Sequence, residues 1–240
     1  ITVTTPTLDQ QLTAGNATPY TVNWSYVGTG TTAVKLYYDT GAGTYTGVID
    51  DSGTVNIDDG TAGEYGHFDW SVPNDVSLSN NVHVKVVDAA AGFENVYGLS
   101  PQFNVKGGLT LSTPTGATAW ETNTSQDIGW TFTGGITNVD VAYDLNDADG
   151  DQWTAIATKA QTGTSGSSTQ AWDMSLAGTN LTSVSNKVRV RIKAQNADSD
   201  LQTQVISPLF KLIAKFTITE PVNGASVYVY DAAKNPNPTP

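Results

Sequence analysis

The sequence predicts an all-β protein made of two consecutive antiparallel β-sandwiches, and three observations predict it. Apolar and polar residues alternate in short runs and nowhere sustain a 3.6-residue period. Gly, Thr, Ser, Asn and Val recur throughout, a composition that favours short strands and tight turns over helices. The same landmarks then return after a fixed interval, which marks a repeated domain.

The interval is 106 to 108 residues. Trp24 in VNWSY returns as Trp130 in IGWTF, and Val82 in NVHVKV as Val188 in KVRVRI, both 106 residues on. Pro101-Gln102-Phe103 returns as Pro208-Leu209-Phe210 after 107. The opening Thr2-Val3-Thr4-Thr5-Pro6 returns after 108 as Thr110-Leu111-Ser112-Thr113-Pro114, and again after 107 as Thr217-Ile218-Thr219-Glu220-Pro221. The predicted division is therefore 1–107, 108–215, and 216–240 as the first strand of a third, incomplete repeat or an assembly strand. Within each repeat, Val22, Trp24 and Tyr26 (then Ile128, Trp130 and Phe132) point one way and their neighbours the other. Val34, Leu36 and Tyr38 match Val139, Val141 and Tyr143, and Phe68, Trp70 and Val72 match Trp172 and Met174. About seven short strands per repeat, with turn residues between them, describe a sandwich. The linkers are short, Lys106-Gly107-Gly108 and Ile213-Ala214-Lys215, so the array is expected to be a semi-rigid rod.

Six Trp, ten Tyr and six Phe supply a core that a disordered chain lacks. The net charge is −12 and uneven: residues 1–107 hold eleven acids against Lys35, Lys85 and Lys106. That disfavours nucleic acid as a partner, since phosphate binding relies on Lys and Arg. There is no cysteine, so sandwiches of this kind stand without disulfides, as expected of a microbial surface protein. No apolar run approaches the roughly 18 residues of a membrane span, and no membrane insertion is expected. The chain opens on a strand, without a leader or initiating Met, and is expected to be a mature product or a piece of something longer.

The second repeat carries a recognisable pattern. Pro114-Thr115-Gly116, Ile128-Gly129-Trp130, Asp149-Gly150-Asp151-Gln152-Trp153-Thr154, Ala171-Trp172, Val188-Arg189-Val190-Arg191 and Ser207-Pro208-x-Phe210 follow in that order. The chain resembles the tandem immunoglobulin-like repeats of large bacterial surface proteins, related to the N-terminal domain of fungal Ser/Thr-rich, GPI-anchored cell-wall-assembly proteins. The first repeat keeps a Trp70-Ser71-Val72-Pro73 strand typical of that family, whereas the second keeps the Gly-rich hairpin. The resemblance implies tandem immunoglobulin-like antiparallel β-sandwiches, a cell-surface or cell-wall role, and no catalytic residues.

Candidate chemistry is sparse. No nucleophile–base motif, P-loop, Rossmann glycine pattern or H-E-x-x-H occurs. His67 and His83 each sit on an apparent strand and are expected to be neutral to function. The densest oxygen-ligand segment is the hairpin with Asp144, Asn146, Asp147, Asp149 and Asp151, a candidate calcium loop. It departs from the EF-hand pattern, and the competing reading is a turn rich in Asp, Asn and Gly for backbone reasons. Asp50-Asp51 and Asp58-Asp59 form a looser second candidate. Lys187, Arg189, Arg191 and Lys193 alternate with Val188, Val190 and Ile192, so all four share one outward face. They are read either as a solvated face or as a docking patch for the acidic first repeat of a neighbour. Phe216 and Ile218 are the matching subunit-contact candidates on the orphan strand. Tyr37, Tyr45, Trp120 and Trp153 are candidates for a sugar-stacking platform, with core packing as the alternative.

The expectation is thus a structural segment of an extracellular or cell-surface assembly (surface layer, sheath, filament or adhesin stalk), without catalysis. Its partners are then copies of itself or cell-surface glycan, and calcium is the one cofactor entertained. The alternative is a carbohydrate-binding or accessory module of a large secreted hydrolase.

Overall fold

A computed structural model describes residues 1–58, 66–175, 184–196, 198 and 201–215 of the 240, with the Asp149 side chain excepted. Phe216, Ile218 and the rest of the third segment lie outside the described residues.

The described residues between 2 and 106 supply nine strands: β1 (Thr2–Thr5), β2 (Gln11–Thr13), β3 (Tyr20–Ser25), β4 (Ala33–Asp39), β5 (Gly47–Asn56), β6 (Gly66–Trp70), β7 (Ser79–Asp88), β8 (Tyr97–Leu99) and β9 (Phe103–Lys106). They form two sheets, β1-β3-β6 and β2-β9-β7-β4-β5, with β8 also on β7. Residues 108–213 repeat this with β10 (Gly108–Thr113), β11 (Ala119–Glu121), β12 (Ser125–Thr133), β13 (Asn138–Asp144), β14 (Thr154–Ala160), β15 (Ser165–Asp173), β16 (Ser185–Ala194), β17 (Gln204–Ile206) and β18 (Phe210–Ile213). Here the sheets are β10-β12-β15 and β11-β18-β16-β13-β14, with β17 on β16. Pairing is antiparallel except for β2–β9 and β11–β18, which are parallel. This is the immunoglobulin strand order, with the opening strand shared between both sheets and an extra edge strand beside the fourth. The chain is all-β, with a 3₁₀ turn at Asp147–Asp149. Among the described residues no helix is long and apolar enough to cross a membrane.

Among the described residues each repeat shows nine strands where about seven were expected, and proline is the reason. Pro6 and Pro114 follow β1 and β10, where the chain leaves one sheet for the other. Pro101 and Pro208 split the last strand in two, because a residue without an N–H cannot continue the ladder. The serine before each repairs the break. Ser100 Oγ accepts the Val84 N–H at 2.9 Å, while the Ser100 N–H donates to the Val84 carbonyl at 2.8 Å. Ser207 does the same with Val190, at 3.0 and 2.8 Å.

The alternating apolar residues meet between the sheets. Val22, Trp24, Leu36, Val84 and Phe103 are wholly enclosed in the first core, and Ile128, Val141, Val190 and Ile192 in the second, with Trp130 and Phe210 almost so. A tyrosine from the fourth strand packs on a tryptophan from the sixth in both repeats: Tyr38 on Trp70 at 5.3 Å, and Tyr143 stacked on Trp172 at 4.7 Å. The two central tryptophans differ in one respect. Trp24 Nε1 donates to the Ile57 carbonyl at 3.0 Å, whereas the buried Trp130 Nε1 has no hydrogen-bond partner among the described residues.

Truncating either Trp24 or Trp130 to Ala should cost about 3–5 kcal/mol, the usual range for a large buried aromatic. Trp24→Phe should cost about 1 kcal/mol more than Trp130→Phe in denaturant unfolding, because only the former abandons a hydrogen bond. Equal costs would mean that the Trp24 N–H contributes nothing.

Candidate functional site

The groups that drew attention in the sequence gather on the outer face of the β4–β5 and β13–β14 hairpins and the strands beside them. Both hairpins begin with a buried aspartate at a strand end, Asp39 and Asp144, exposed by only 6 % and 3 %. Asp39 accepts the N–H groups of Gly41, Gly43 and Thr44 at 2.9, 2.7 and 3.3 Å. Asp144 accepts those of Asn146 and Gln152 at 2.9 and 3.4 Å. Each carboxylate thus closes its own loop, the Asx-turn chemistry for which aspartate is preferred at such sites.

The rest of the acidic loop is also tied to the protein. Asp147 pairs with Arg189 at 2.8 Å, Asn146 bridges to Lys187 in the backbone, and Ser185 Oγ donates to the Leu145 carbonyl at 2.6 Å. Asp151 is exposed, and the Asp149 side chain lies outside the described residues. Among the described residues no three acidic or histidine side chains converge on a point that would hold a metal ion. The second acidic candidate is engaged likewise: Asp50 accepts the N–H and O–H of Ser52, and Asp51 takes the Tyr37 hydroxyl and pairs with Lys35 at 3.0 Å. Burial, then the hydrogen bond to Asp51 and the charges of Asp51 and Asp50, push the Tyr37 phenol up to about 12. Asp58 receives the Tyr26 hydroxyl at 3.4 Å, and Asp59 lies outside the described residues.

The four basic residues alternate along β16, and its two arginines have separate partners. Arg189 holds Asp147, and Arg191 lies over the Trp153 ring at 4.6 Å, a cation–π contact. Lys193 sits opposite Asp140 on β13, and Lys187 is exposed. The position equivalent to Arg191 in the first repeat is Lys85, whose ammonium lies 4.4 Å from the Tyr97 ring and 5.8 Å from Tyr45. That cluster escapes a sequence reading because Tyr97 is on a different strand; the outward alternation of Lys85 was the only hint. Trp120 departs from the expected sugar platform: it is a core residue, packed on Phe210 at 5.1 Å and Trp172 at 6.2 Å. It occupies the place of Leu12 on a strand too short to reveal its face by alternation.

A second constellation lies where the repeats meet. Gly107 is the single residue between β9 and β10. Thr133 Oγ1 donates to the Ala14 carbonyl, the Gly134 N–H to the Asn74 carbonyl at 3.0 Å, and Asn74 Nδ2 to Ser165 Oγ at 3.1 Å. Asn80 donates to the Asp198 carboxylate, and Leu78 packs against both cores. The glycines are required for this approach. A Cβ on Gly134, whose φ is +68°, would fall 2.6 Å from the Ala14 Cβ, and one on Gly107 2.5 Å from Ile136 Cγ1.

Comparison with known proteins gives a fold likeness only. No family model and no curated protein matches. Similar solved structures include the fibronectin(III)-like modules of Clostridium thermocellum CbhA, at 16% identity and TM-score 0.30, covering 96% of this chain and 99% of that one. A titin A168–A169 structure matches at 15% identity and TM-score 0.37 over 90% and 96%, and the teleost fish polymeric Ig receptor ectodomain at 13% and 0.31 over 87% and 97%. The immunoglobulin-like assignment rests on the strand order and register given above.

The Asp39 turn yields a pH prediction. Burial raises the Asp39 pKa, but the N–H donors of Gly43, Gly41, Thr44 and Ala42 outweigh it and hold the carboxyl below its ordinary range. A group depressed on folding stabilises above its unfolded pKa, and that contribution disappears as pH falls through the folded value. The melting temperature should therefore drop as the solution is acidified below the ordinary carboxylate range. Asp39→Asn should melt lower than the parent at neutral pH and show a flatter acid slope in calorimetry. An unchanged slope would assign the acid sensitivity to other carboxylates.

Proposed function

We propose that the chain is a structural repeat segment of an extracellular or cell-surface assembly, working as a stiff spacer and not as an enzyme. The observation that carries this reading is the junction. A one-residue link, bonds from four side chains or backbone groups, and a leucine shared by both cores oppose bending between the sandwiches. A spacer needs that resistance, whereas a binding module on a flexible tether does not. The hairpin faces support the same reading, since their charged and aromatic groups are spent on closing loops and covering sheet. The resemblance to bacterial surface repeats and to the fungal cell-wall-assembly domain adds the surface location to this proposal.

Two measurements test it. Small-angle scattering of the parent should fit one elongated particle of fixed shape, and Gly134→Val should require a spread of shapes while both repeats keep their β-sheet circular dichroism. A parent that already needs a spread of shapes would remove the spacer role. Negative-stain micrographs of native material should show rods, sheets or filaments, and dispersed single particles would contradict the assembly role.

A further inference from the structure

The junction has two halves, and because the repeats correspond strand for strand, each half has a counterpart elsewhere in the chain. The second repeat brings its head to the junction: Thr133 and Gly134 after β12, and Asp198 and Leu201 between β16 and β17. Counted from the central tryptophans, Val27 and Gly28 hold the places of Thr133 and Gly134 on the head of the first repeat. A shared turn puts Ala90 and Phe93 where Asp198 and Leu201 stand. The Phe93 N–H donates to the Ala90 carbonyl at 3.2 Å, and the Leu201 N–H to the Asp198 carbonyl at 3.3 Å. The first repeat brings its tail: Ala14 and Gly15 after β2, and Leu78 before β7. On the tail of the second repeat these places belong to Thr122, Asn123 and Val184. The Ala14 and Thr122 N–H groups each reach the last strand of their sandwich at 2.9 Å, and Gly15 and Asn123 share a positive φ, +68° and +59°. Ser79 and Ser185, next to Leu78 and Val184, accept the N–H groups of Asn81 and Lys187 in the same way. The counterpart of Asn74 lies outside the described residues.

Where the halves meet these groups are covered, and at the two poles they are bare. Ala14 and Leu201 are buried, and Leu78 packs on both cores. Val27, by contrast, is fully exposed, Val184 is 60 % exposed and Phe93 53 %. A Cβ on Gly134 would meet the Leu78 Cδ2 at 2.9 Å, whereas one on Gly28 would meet nothing within 4 Å. The exchanges run in one direction: Val27 stands for a threonine, Ala90 for an aspartate and Phe93 for a leucine. Both poles therefore show large apolar side chains to solvent, the mark of a contact surface. Their rims carry opposite charges, Glu94 beside Phe93 on the head and Lys211 beside Val184 on the tail.

We propose that the head of the first repeat (Val27, Gly28 and Phe93) takes the tail of the second repeat (Asn123 and Val184) of a second copy, in the arrangement the junction uses within the chain. The junction itself identifies the occupant, since it covers the same pole of the second repeat with the tail of a sandwich of this kind. In a second copy the first repeat's tail is already engaged, and the second repeat's tail is the one that shows its Val184. Val184 then lies against Gly28 as Leu78 lies against Gly134, and the contact is apolar where the internal one is hydrogen-bonded. Head meets tail, so the contact is heterologous and copies add end to end. This rests on the structural-segment reading and deepens it by naming the surface through which one segment joins the next.

The chain has no cysteine, so disulfide capture reads the contact directly. A Cβ on Gly15 would lie 3.0 Å from the Thr133 Cβ, which puts cysteines at the equivalent Asn123 and Val27 within disulfide reach. An oxidised equimolar mixture of Val27→Cys and Asn123→Cys chains should yield a mixed disulfide dimer, while either chain alone stays uncrosslinked. If Asn123→Cys fails to fold, Phe93→Cys with Val184→Cys carries the same test. In analytical ultracentrifugation of the 240-residue chain, the parent should associate as concentration rises. Val27→Asp and Val184→Asp should each raise the dissociation constant at least about tenfold, with melting unchanged, because each sets a charge in an apolar contact. A parent monomeric at every concentration, association indifferent to both aspartates, or like-with-like crosslinks as abundant as mixed ones would each overturn the proposal. So would a Val184→Cys thiol that resists a thiol reagent in the monomer, since the same chain would then cover the tail. Filaments of native material that persist in Val27→Asp would sink this contact and leave the spacer reading intact.

Discussion

The constraint on which the rest depends is the absence of chain between the two sandwiches. With Gly107 as the only residue linking β9 to β10, the end of one domain must sit on the start of the next. Surfaces brought that close either fit or clash, and the residues there are those that fit. Ala14, Gly107 and Gly134 give the backbones room, and Thr133, Asn74 and Asn80 satisfy polar groups that the contact takes from water. Leu78 then belongs to two cores at once, which couples their packing.

Inside each sandwich the same problem recurs in another form: two half-apolar sheets must meet, and the polar backbone must still be paired. Trp24 and Trp130 fill the space between the sheets, while Ser100 and Ser207 supply the hydrogen bonds that their neighbouring prolines remove. The proline is tolerated because a hydroxyl stands in for a ladder bond. Asp39 and Asp144 solve the corresponding problem at the hairpins, where several N–H groups would otherwise point into a poorly hydrated turn. Two carboxylates that look like ligand chemistry in the sequence, Asp50 and Asp144, accept backbone N–H groups in the fold.

The outer faces follow the same economy. Lys85 and Arg191 hold equivalent places in the two repeats, and each lies over an aromatic ring. Arg189 is drawn into its own loop by Asp147. Half of the basic stripe is thus occupied within its own repeat, and the face is less charged toward a partner than four alternating cations suggest.

The sequence by itself determined the fold class, because alternation with period two and a fixed recurrence are local properties of the chain. It also determined the core: Val22, Trp24, Val84 and their counterparts are buried because their neighbours on either side are polar. What only the tertiary structure decided were relations between strands distant in sequence. Trp120 turned inward because its three-residue strand lies against β18, and no alternation of so short a strand shows that. Asp144 became a turn lock because Gln152, eight residues on, folds back to it. Tyr97 met Lys85 through a strand pairing, and Thr133 met Ala14 across 119 residues. Which strand is left at an edge is likewise a matter of sheet order, which hydrogen bonding between remote segments fixes and local pattern does not.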